Sequence, residues 1–147
     1  MSITKTSTLQ PIPYLSFDGN CAEAMRFYEE VLGGTIKVMM SGLQVPVQDE
    51  MCAAFGDRIL NSQLELPGGA MLYAGDCPTH MPYEGIKGVS LTLNFDTVDE
   101  GEEIFNKLAT GGQIFMPYEP TFWAEKFGMV TDKFGVTWVI NGVLHTL

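Results

Sequence analysis

Residues 15–36 read LSFDGNCAEAMRFYEEVLGGTI, and residues 93–114 read LNFDTVDEGEEIFNKLATGGQI. The second stretch lies 78 positions after the first and repeats seven of its residues, including a Phe-Asp pair and a Gly-Gly pair. Each stretch has the pattern of a strand end, an amphipathic helix, a glycine stop and the start of another strand. We therefore predict that the chain contains two copies of one structural unit.

Both predicted helices carry start and stop signals. Asn20 precedes Glu23 by three residues, and Thr97 precedes Glu100 by the same spacing. This spacing is typical of a capping box, in which two side chains bind backbone N–H groups of the first turn. Gly33 begins a glycine pair that provides a left-handed stop for the first helix, and a second pair follows the other helix.

The rest of the chain has the pattern of strands with one apolar and one polar face. Residues 59–66 alternate in this way, and a Pro-Gly-Gly turn connects them to residues 70–74, which predicts a hairpin. Residues 89–95 and 136–141 alternate as well. Trp138 lies on the apolar face of the last of these strands and is predicted to belong to the core.

Together these elements predict an α+β fold. Two tandem βαβββ modules, about residues 11–76 and 88–143, make one domain over residues 1–147. They form a curved eight-stranded mixed sheet around a cavity, with the helices on the outer face. Residues 41–57 lack a clear period and are predicted to form an insertion or lid, which docks through Met51 and Phe55.

Composition and charge exclude several classes of function. The net charge of −10 repels phosphate backbones and anionic lipid surfaces, so we expect no nucleic acid and no membrane as partners. No apolar run approaches the roughly 20 residues of a membrane span. The three cysteines lack the spacing of a disulfide framework or a zinc site, which favours a cytoplasmic location.

Three longer motifs resemble one known superfamily. They are YLSFDGNC at residues 14–21, FYEEVLGG at residues 27–34 and TFWAEKFGMVTDKFGVTW at residues 121–138. The duplicated βαβββ plan and these motifs resemble the glyoxalase, bleomycin-resistance and dioxygenase superfamily, also called vicinal oxygen chelate proteins, and within it the PhnB-like branch. Some members of that branch have carried the label of a ubiquinone-pathway methyltransferase. The sequence does not support that activity, because no strand is followed by a glycine-rich nucleotide loop.

The resemblance implies a divalent metal held by His, Gln or Glu on the first, fourth, fifth and eighth strands. Matching the two faces of each strand places the following residues there: Ile12, Met71 or Tyr73, Ser90 and Val139. None of them is a good ligand for such a metal. The two histidines, His80 and His145, lie in a loop and near the C-terminal end. We therefore expect no metal and no cofactor, and the sequence identifies no catalytic residue.

Hydroxyl and amide groups on the inner faces are predicted to bind a small molecule instead. An unpaired buried group of this kind costs about 1–3 kcal/mol, so a polar hollow has to hold water or a ligand. Trp123 is predicted to lie over the cavity mouth and stack on a flat ligand, although an aromatic of this kind is more often core. The candidate ligand-binding residues are Tyr14, Asn61, Gln63, Tyr73, Ser90, Thr92, Trp123 and Asn141.

The preferred interpretation is a metal-independent small-molecule-binding protein of the PhnB-like branch, whose ligand the sequence does not identify. The alternative is a lyase, isomerase or dioxygenase that uses a divalent metal or acid–base chemistry from a cavity carboxylate, Glu65 or Glu119, or from Tyr73. A third interpretation is a structural or regulatory subunit whose hollow binds nothing. Whether the protein is an enzyme stays open at this point. The resemblance also implies a bacterial source and a homodimer, with residues 41–57 contributing to the interface.

Two further residues have a structural and a chemical interpretation. Asp132 precedes the last strand, where an aspartate usually accepts hydrogen bonds from the backbone of its own turn, and we favour that role. Cys21 lies in the first turn of a helix, where the helix dipole lowers the pKa of a thiol. A buried, unreactive cysteine is the default expectation for this position.

Overall fold

The computed structural model describes residue 7 and residues 9–46 and 49–146. Positions 47 and 48 of the predicted insertion lie outside the described residues. In chain order the elements are β1 (Tyr14–Phe17), α1 (Cys21–Leu32), β2 (Thr35–Ser41), α2 (Glu50–Phe55), β3 (Ile59–Glu65), β4 (Met71–Asp76), β5 (Ser90–Phe95), α3 (Val98–Ala109), β6 (Gln113–Glu119), β7 (Ala124–Thr131) and β8 (Thr137–Leu144).

The strands form two four-stranded mixed sheets with the same internal order. The first sheet has the order β1-β4-β3-β2, and the second has the order β5-β8-β7-β6. In each sheet the first-named pair is parallel and the other pairs are antiparallel. The predicted α+β class and the two βαβββ modules are confirmed. Over the described ranges the eight strands divide into two hydrogen-bonded sheets, one per module, and no closed barrel forms.

The helix signals are confirmed at three of four ends. Gly33 has φ 75° and ends α1 in the left-handed conformation. The Thr97 hydroxyl accepts a 3.1 Å hydrogen bond from the Glu100 N–H and lies 3.0 Å from the Glu100 carboxylate, as a capping box requires. Gly111, with φ 74°, directly follows the last helical turn and Thr110.

The predicted cap at the start of α1 is wrong, since the Asn20 side chain makes no capping hydrogen bond. A carboxylate from another element replaces it. One oxygen of Asp76, at the end of β4, accepts hydrogen bonds from the N–H groups of Gly19 and Cys21 at 2.9 and 3.0 Å. Only the folded sheet brings this acceptor to the helix start, so the local spacing gave no sign of it.

The insertion contains a short helix that the sequence pattern did not predict. The Asp49 side chain caps α2 by accepting a 2.8 Å hydrogen bond from the Cys52 N–H. Cys52 is buried, whereas Met51 is 61% exposed and does not dock as predicted. Phe55 is half-buried and lies close to Gly42, where an added Cβ would lie 2.8 Å from its side chain.

One buried core joins the two modules. The Tyr28 ring on α1 lies 5.4 Å from the Trp138 ring on β8 and 6.2 Å from the Phe134 ring, all measured between centroids. Trp138 is 1% exposed, which confirms its predicted place in the core. Because the core is built from the helix-covered faces, the opposite face of each sheet stays accessible. None of the helices in the described part of the chain is long and apolar enough to cross a membrane.

Candidate ligand-binding site

The open face of the first sheet carries a row of polar side chains. Tyr14 on β1 lies opposite Tyr73 on β4, which lies opposite Gln63 on β3. Asn61 lies two positions before Gln63 and therefore points to the same face. All four were predicted to face the cavity. The register also corrects one prediction, because β1 begins at Tyr14 and Ile12 lies before the strand.

The Tyr14 side chain lies flat across this face and reaches β3. Its hydroxyl donates a 3.0 Å hydrogen bond to the Leu60 carbonyl on β3. An added Cβ at Gly75, on the intervening strand β4, would overlap that hydroxyl, so glycine is required for the crossing. Burial raises the pKa of the Tyr14 hydroxyl, with smaller contributions from Cys21 and Asp76. The hydroxyl therefore stays protonated and donates at neutral pH.

Two neighbouring rows on the open face of the second sheet contain no charged side chain, and each changes from polar to apolar across three strands. One row runs from Thr92 on β5 through Val139 on β8 to Met129 on β7. The neighbouring row runs from Asn94 through Asn141 to Phe127. Within these two rows, hydroxyl and amide groups lie on β5 and apolar side chains lie on β7.

Trp123 is fixed over this second face by a chain of hydrogen bonds. Its indole N–H donates to the Asn141 side-chain oxygen at 3.1 Å, and the Asn141 amide in turn donates to the Asn94 side-chain oxygen at 2.9 Å. The Trp123 ring packs edge-on against Phe122 and Phe127, with centroids 5.0 and 4.8 Å away. Asn141 is only 6% exposed beneath this cover. The predicted pair Trp123 and Asn141 are therefore brought together.

Asn94 takes part in these hydrogen bonds but is absent from the ligand-binding residues predicted from the sequence. It lies two and four positions after Thr92 and Ser90, on the same face of β5. This alternation already indicated its direction in the sequence. Its link to Trp123 could not be foreseen, because the bridging Asn141 belongs to a strand 47 residues later.

A groove of about 660 Å³ runs between the two modules. Met71 contributes to it from the first open face, Ser90 and Thr92 contribute from the second, and apolar side chains of the core-facing sides, among them Trp138, line it as well. Ile12 and the residues before β1 form one wall. Of the eight candidates, two line this groove, five lie on the open faces outside its lining, and the remaining one, Trp123, covers the second open face.

The side chains do not fit the divalent metal that the superfamily resemblance implies. Within the described residues, no group of three or more His, Cys, Asp or Glu side chains lies together as a metal site would need. The strand positions in question carry phenol, hydroxyl or apolar groups, which are poor ligands. His80 is exposed in a loop, and the His145 ring nitrogen lies 3.1 Å from the Phe122 carbonyl.

The two carboxylates of the alternative, enzymatic interpretation take no part in the hydrogen bonds that link Trp123, Asn141 and Asn94. Glu65 forms an ion pair with Lys37, with 3.7 Å between the charged atoms and both side chains about half exposed. Glu119 is exposed on the edge strand β6 and pairs with Phe127 at the outer end of a row. Neither has the buried setting that tunes a carboxylate for proton transfer.

Comparison with known proteins decides the family. The model of the 3-demethylubiquinone-9 3-methyltransferase family matches residues 10–141. The chain belongs to this PhnB-like family. Its sequence is 37% identical over 139 residues to Protein YjdN of Escherichia coli (strain K12), covering 89% of this chain and 93% of YjdN.

Solved structures agree with this assignment to the PhnB-like family. Protein PA1353 from Pseudomonas aeruginosa is 45% identical with a TM-score of 0.81, covering 91% of this chain and 97% of its own. The PhnB protein from Bacillus cereus is 25% identical with a TM-score of 0.73, covering 90% and 98%. A glyoxylase/bleomycin resistance protein/dioxygenase domain from Frankia sp. EAN1pec, 15% identical with a TM-score of 0.64 over 96% and 93%, shows the shared fold.

The connections after β1 and β5, the first strands of the two parallel pairs, differ from those that bind a methyl donor built on a nucleotide. Such sites place a glycine-rich turn between a strand and the following helix. Here β1 is followed by Asp18-Gly19-Asn20, and β5 by Asp96-Thr97. Neither connection is glycine-rich, so the methyltransferase in the family's description finds no support in these two connections.

Proposed function

We propose that this PhnB-like chain is a metal-independent small-molecule-binding protein. The observation that carries the proposal is a groove of about 660 Å³, lined by apolar side chains and by the hydroxyl groups of Ser90 and Thr92, together with the hydroxyl and amide groups on the open face of each sheet. Hydroxyl and amide groups orient a ligand, and the apolar residues beside them bury its body. The side chains at the strand positions discussed above offer nothing that a divalent cation prefers.

We also propose a homodimer in the cytoplasm. The outer strand β6 has an unpaired edge, and Ile114, Phe115 and Met116 on it are 52%, 70% and 43% exposed. An edge strand with exposed apolar side chains is a surface that a second copy covers. All three cysteines are free thiols, which suits a reducing compartment.

Thermal denaturation of chelator-treated protein against a broad panel of uncharged metabolites tests the binding function. A ligand at a hundred times its dissociation constant adds about 2.7 kcal/mol, which raises the melting temperature by several degrees. Thr92→Val removes one groove hydroxyl and is expected to reduce the shift. Thr79→Val in an exposed loop is the matched control and is expected to leave the shift unchanged.

Two results would overturn the proposal. One is a panel in which no compound changes the melting temperature. The other is a shift that appears only after a stoichiometric divalent metal is added back to the chelator-treated protein, because the cavity would then hold a metal site.

A further inference from the structure

The chain of hydrogen bonds over the second open face has a direction that chemistry fixes. An indole N–H only donates, so the Asn141 atom that faces Trp123 is its carbonyl oxygen. The Asn141 –NH₂ group is left to donate, and Asn94 must therefore turn its own carbonyl oxygen toward it. The other half of the Asn94 amide is an –NH₂ group, for which the described residues show no acceptor.

We infer that Asn94 offers this –NH₂ group to the bound molecule and selects a ligand with an uncharged acceptor oxygen. Asn94 is exposed on β5, whereas Asn141 behind it is buried. The inference rests on the proposed binding function and adds the chemical class of the ligand. Trp123 is a positioning residue here, because its N–H sets the direction of both amides.

The surroundings define the rest of the ligand. Across β5, β8 and β7 the two rows contain no charged side chain, and they end in Met129 and Phe127. Glu119 at the outer end of the second row and the net charge of −10 both oppose an anion. The fitting molecule is a ketone, ester or amide whose carbonyl oxygen meets Asn94 and whose apolar body lies toward β7.

A matched pair of probes tests this class. Acetophenone and α-methylstyrene have the same shape, but only acetophenone has an acceptor oxygen. Titration of ¹⁵N-labelled protein, followed by backbone NMR shifts, gives the dissociation constant of each. We expect acetophenone to bind about fivefold more tightly, as one net hydrogen bond provides. The shifts are expected at β5 and β8, and benzoate is expected to bind more weakly than acetophenone.

Asn94→Asp tests the residue, since the carboxylate still accepts from Asn141 but offers no donor. We expect this variant to abolish the preference for acetophenone, while Asn106→Asp on α3 retains it. The same spectra show whether each variant is folded. Trp123→Phe removes the N–H donor that fixes the direction of the Asn141 and Asn94 amides. We expect its preference for acetophenone over α-methylstyrene to lie between that of the wild type and that of Asn94→Asp.

The outcomes separate this inference from the binding function. Equal binding of the two probes, tighter binding of benzoate, an unchanged preference in Asn94→Asp, or no shift at β5 and β8 would each overturn the ligand class. The metabolite panel judges the binding function independently. A panel ligand that lacks an acceptor oxygen would support binding and contradict the class.

Discussion

The Tyr28 hydroxyl on α1 donates a 2.6 Å hydrogen bond to the Asp132 carboxylate, which lies 104 residues later in the turn before β8. Asp132 is 3% exposed and also accepts from the Trp138 indole at 2.8 Å and from the N–H groups of Phe134 and Val136. The predicted turn role of Asp132 is confirmed. In addition, this one carboxylate ties the helix of the first module to the last strand of the second.

Tyr28→Phe tests the tie between the modules. The variant keeps the ring packing but leaves the buried Asp132 oxygen with Trp138 as its remaining side-chain donor. We expect the free energy of unfolding to fall by about 1–3 kcal/mol in urea denaturation. Tyr83→Phe is the control, since it removes a 2.8 Å hydrogen bond to the Ser16 carbonyl at a more exposed site. An equal loss in the two variants would contradict the special role of Tyr28.

Asp76→Asn tests the carboxylate that starts α1. Besides its two bonds to the helix start, Asp76 accepts a 2.8 Å hydrogen bond from the Ile59 N–H with its other oxygen. An amide of the same shape turns a donor toward one of these N–H groups, so we expect a loss of about 2–3 kcal/mol in urea denaturation. Asp57→Asn at an exposed position should change stability by less than about 0.5 kcal/mol. A small loss in Asp76→Asn would show that backbone contacts alone hold the helix start.

Cys21 gives a prediction for alkaline pH. Burial, followed by the nearby Asp76 charge, raises the pKa of the Cys21 thiol to about 12 from its ordinary 9.0. The dipole-lowered pKa considered from the sequence is therefore wrong, and the default of a buried thiol is confirmed. Below pH 9 both states keep the proton and stability is full. Between pH 9 and 12 the unfolded chain loses the proton first, so the free energy of unfolding declines.

Urea denaturation at pH 8 to 11 measures this decline. We expect the free energy of unfolding of Cys21→Ala to decline less steeply with pH than that of the wild type. The difference in slope is up to about 1.4 kcal/mol per pH unit, the limit for one titrating group. Cys77→Ala is expected to change the slope less, since Cys77 is more exposed. In the native protein a thiol reagent should modify Cys77 before it modifies the other two. Rapid modification of native Cys21 would contradict the burial argument.

The exposed edge of β6 gives a prediction for assembly. Phe115→Lys places a charge on a side chain that is 70% exposed, where a second copy would otherwise bury it. We expect dimerisation to weaken by about tenfold or more in light scattering after size exclusion. Met81→Lys, at a 53% exposed loop position, is the control. A wild-type chain that is monomeric at micromolar concentration would refute the dimer.

Most of the fold prediction rested on the internal repeat of the sequence. The 78-residue offset, the Thr97 capping box and the Gly33 stop are local patterns, and local backbone preferences decide them. Alternation also assigned the open-face residues correctly, because successive side chains of a strand point to opposite sides. The short helix α2 was missed, since six residues offer too little period to recognise.

The sequence by itself determined the two modules, the faces of their strands and the family resemblance, because each follows from near neighbours along the chain. Only the tertiary structure decided that Asp76 starts α1, that Asp132 joins the modules and that Trp123 fixes the direction of Asn94. These partners lie between 18 and 104 residues apart. Their hydrogen bonds depend on how strands pair and pack, which no local pattern encodes.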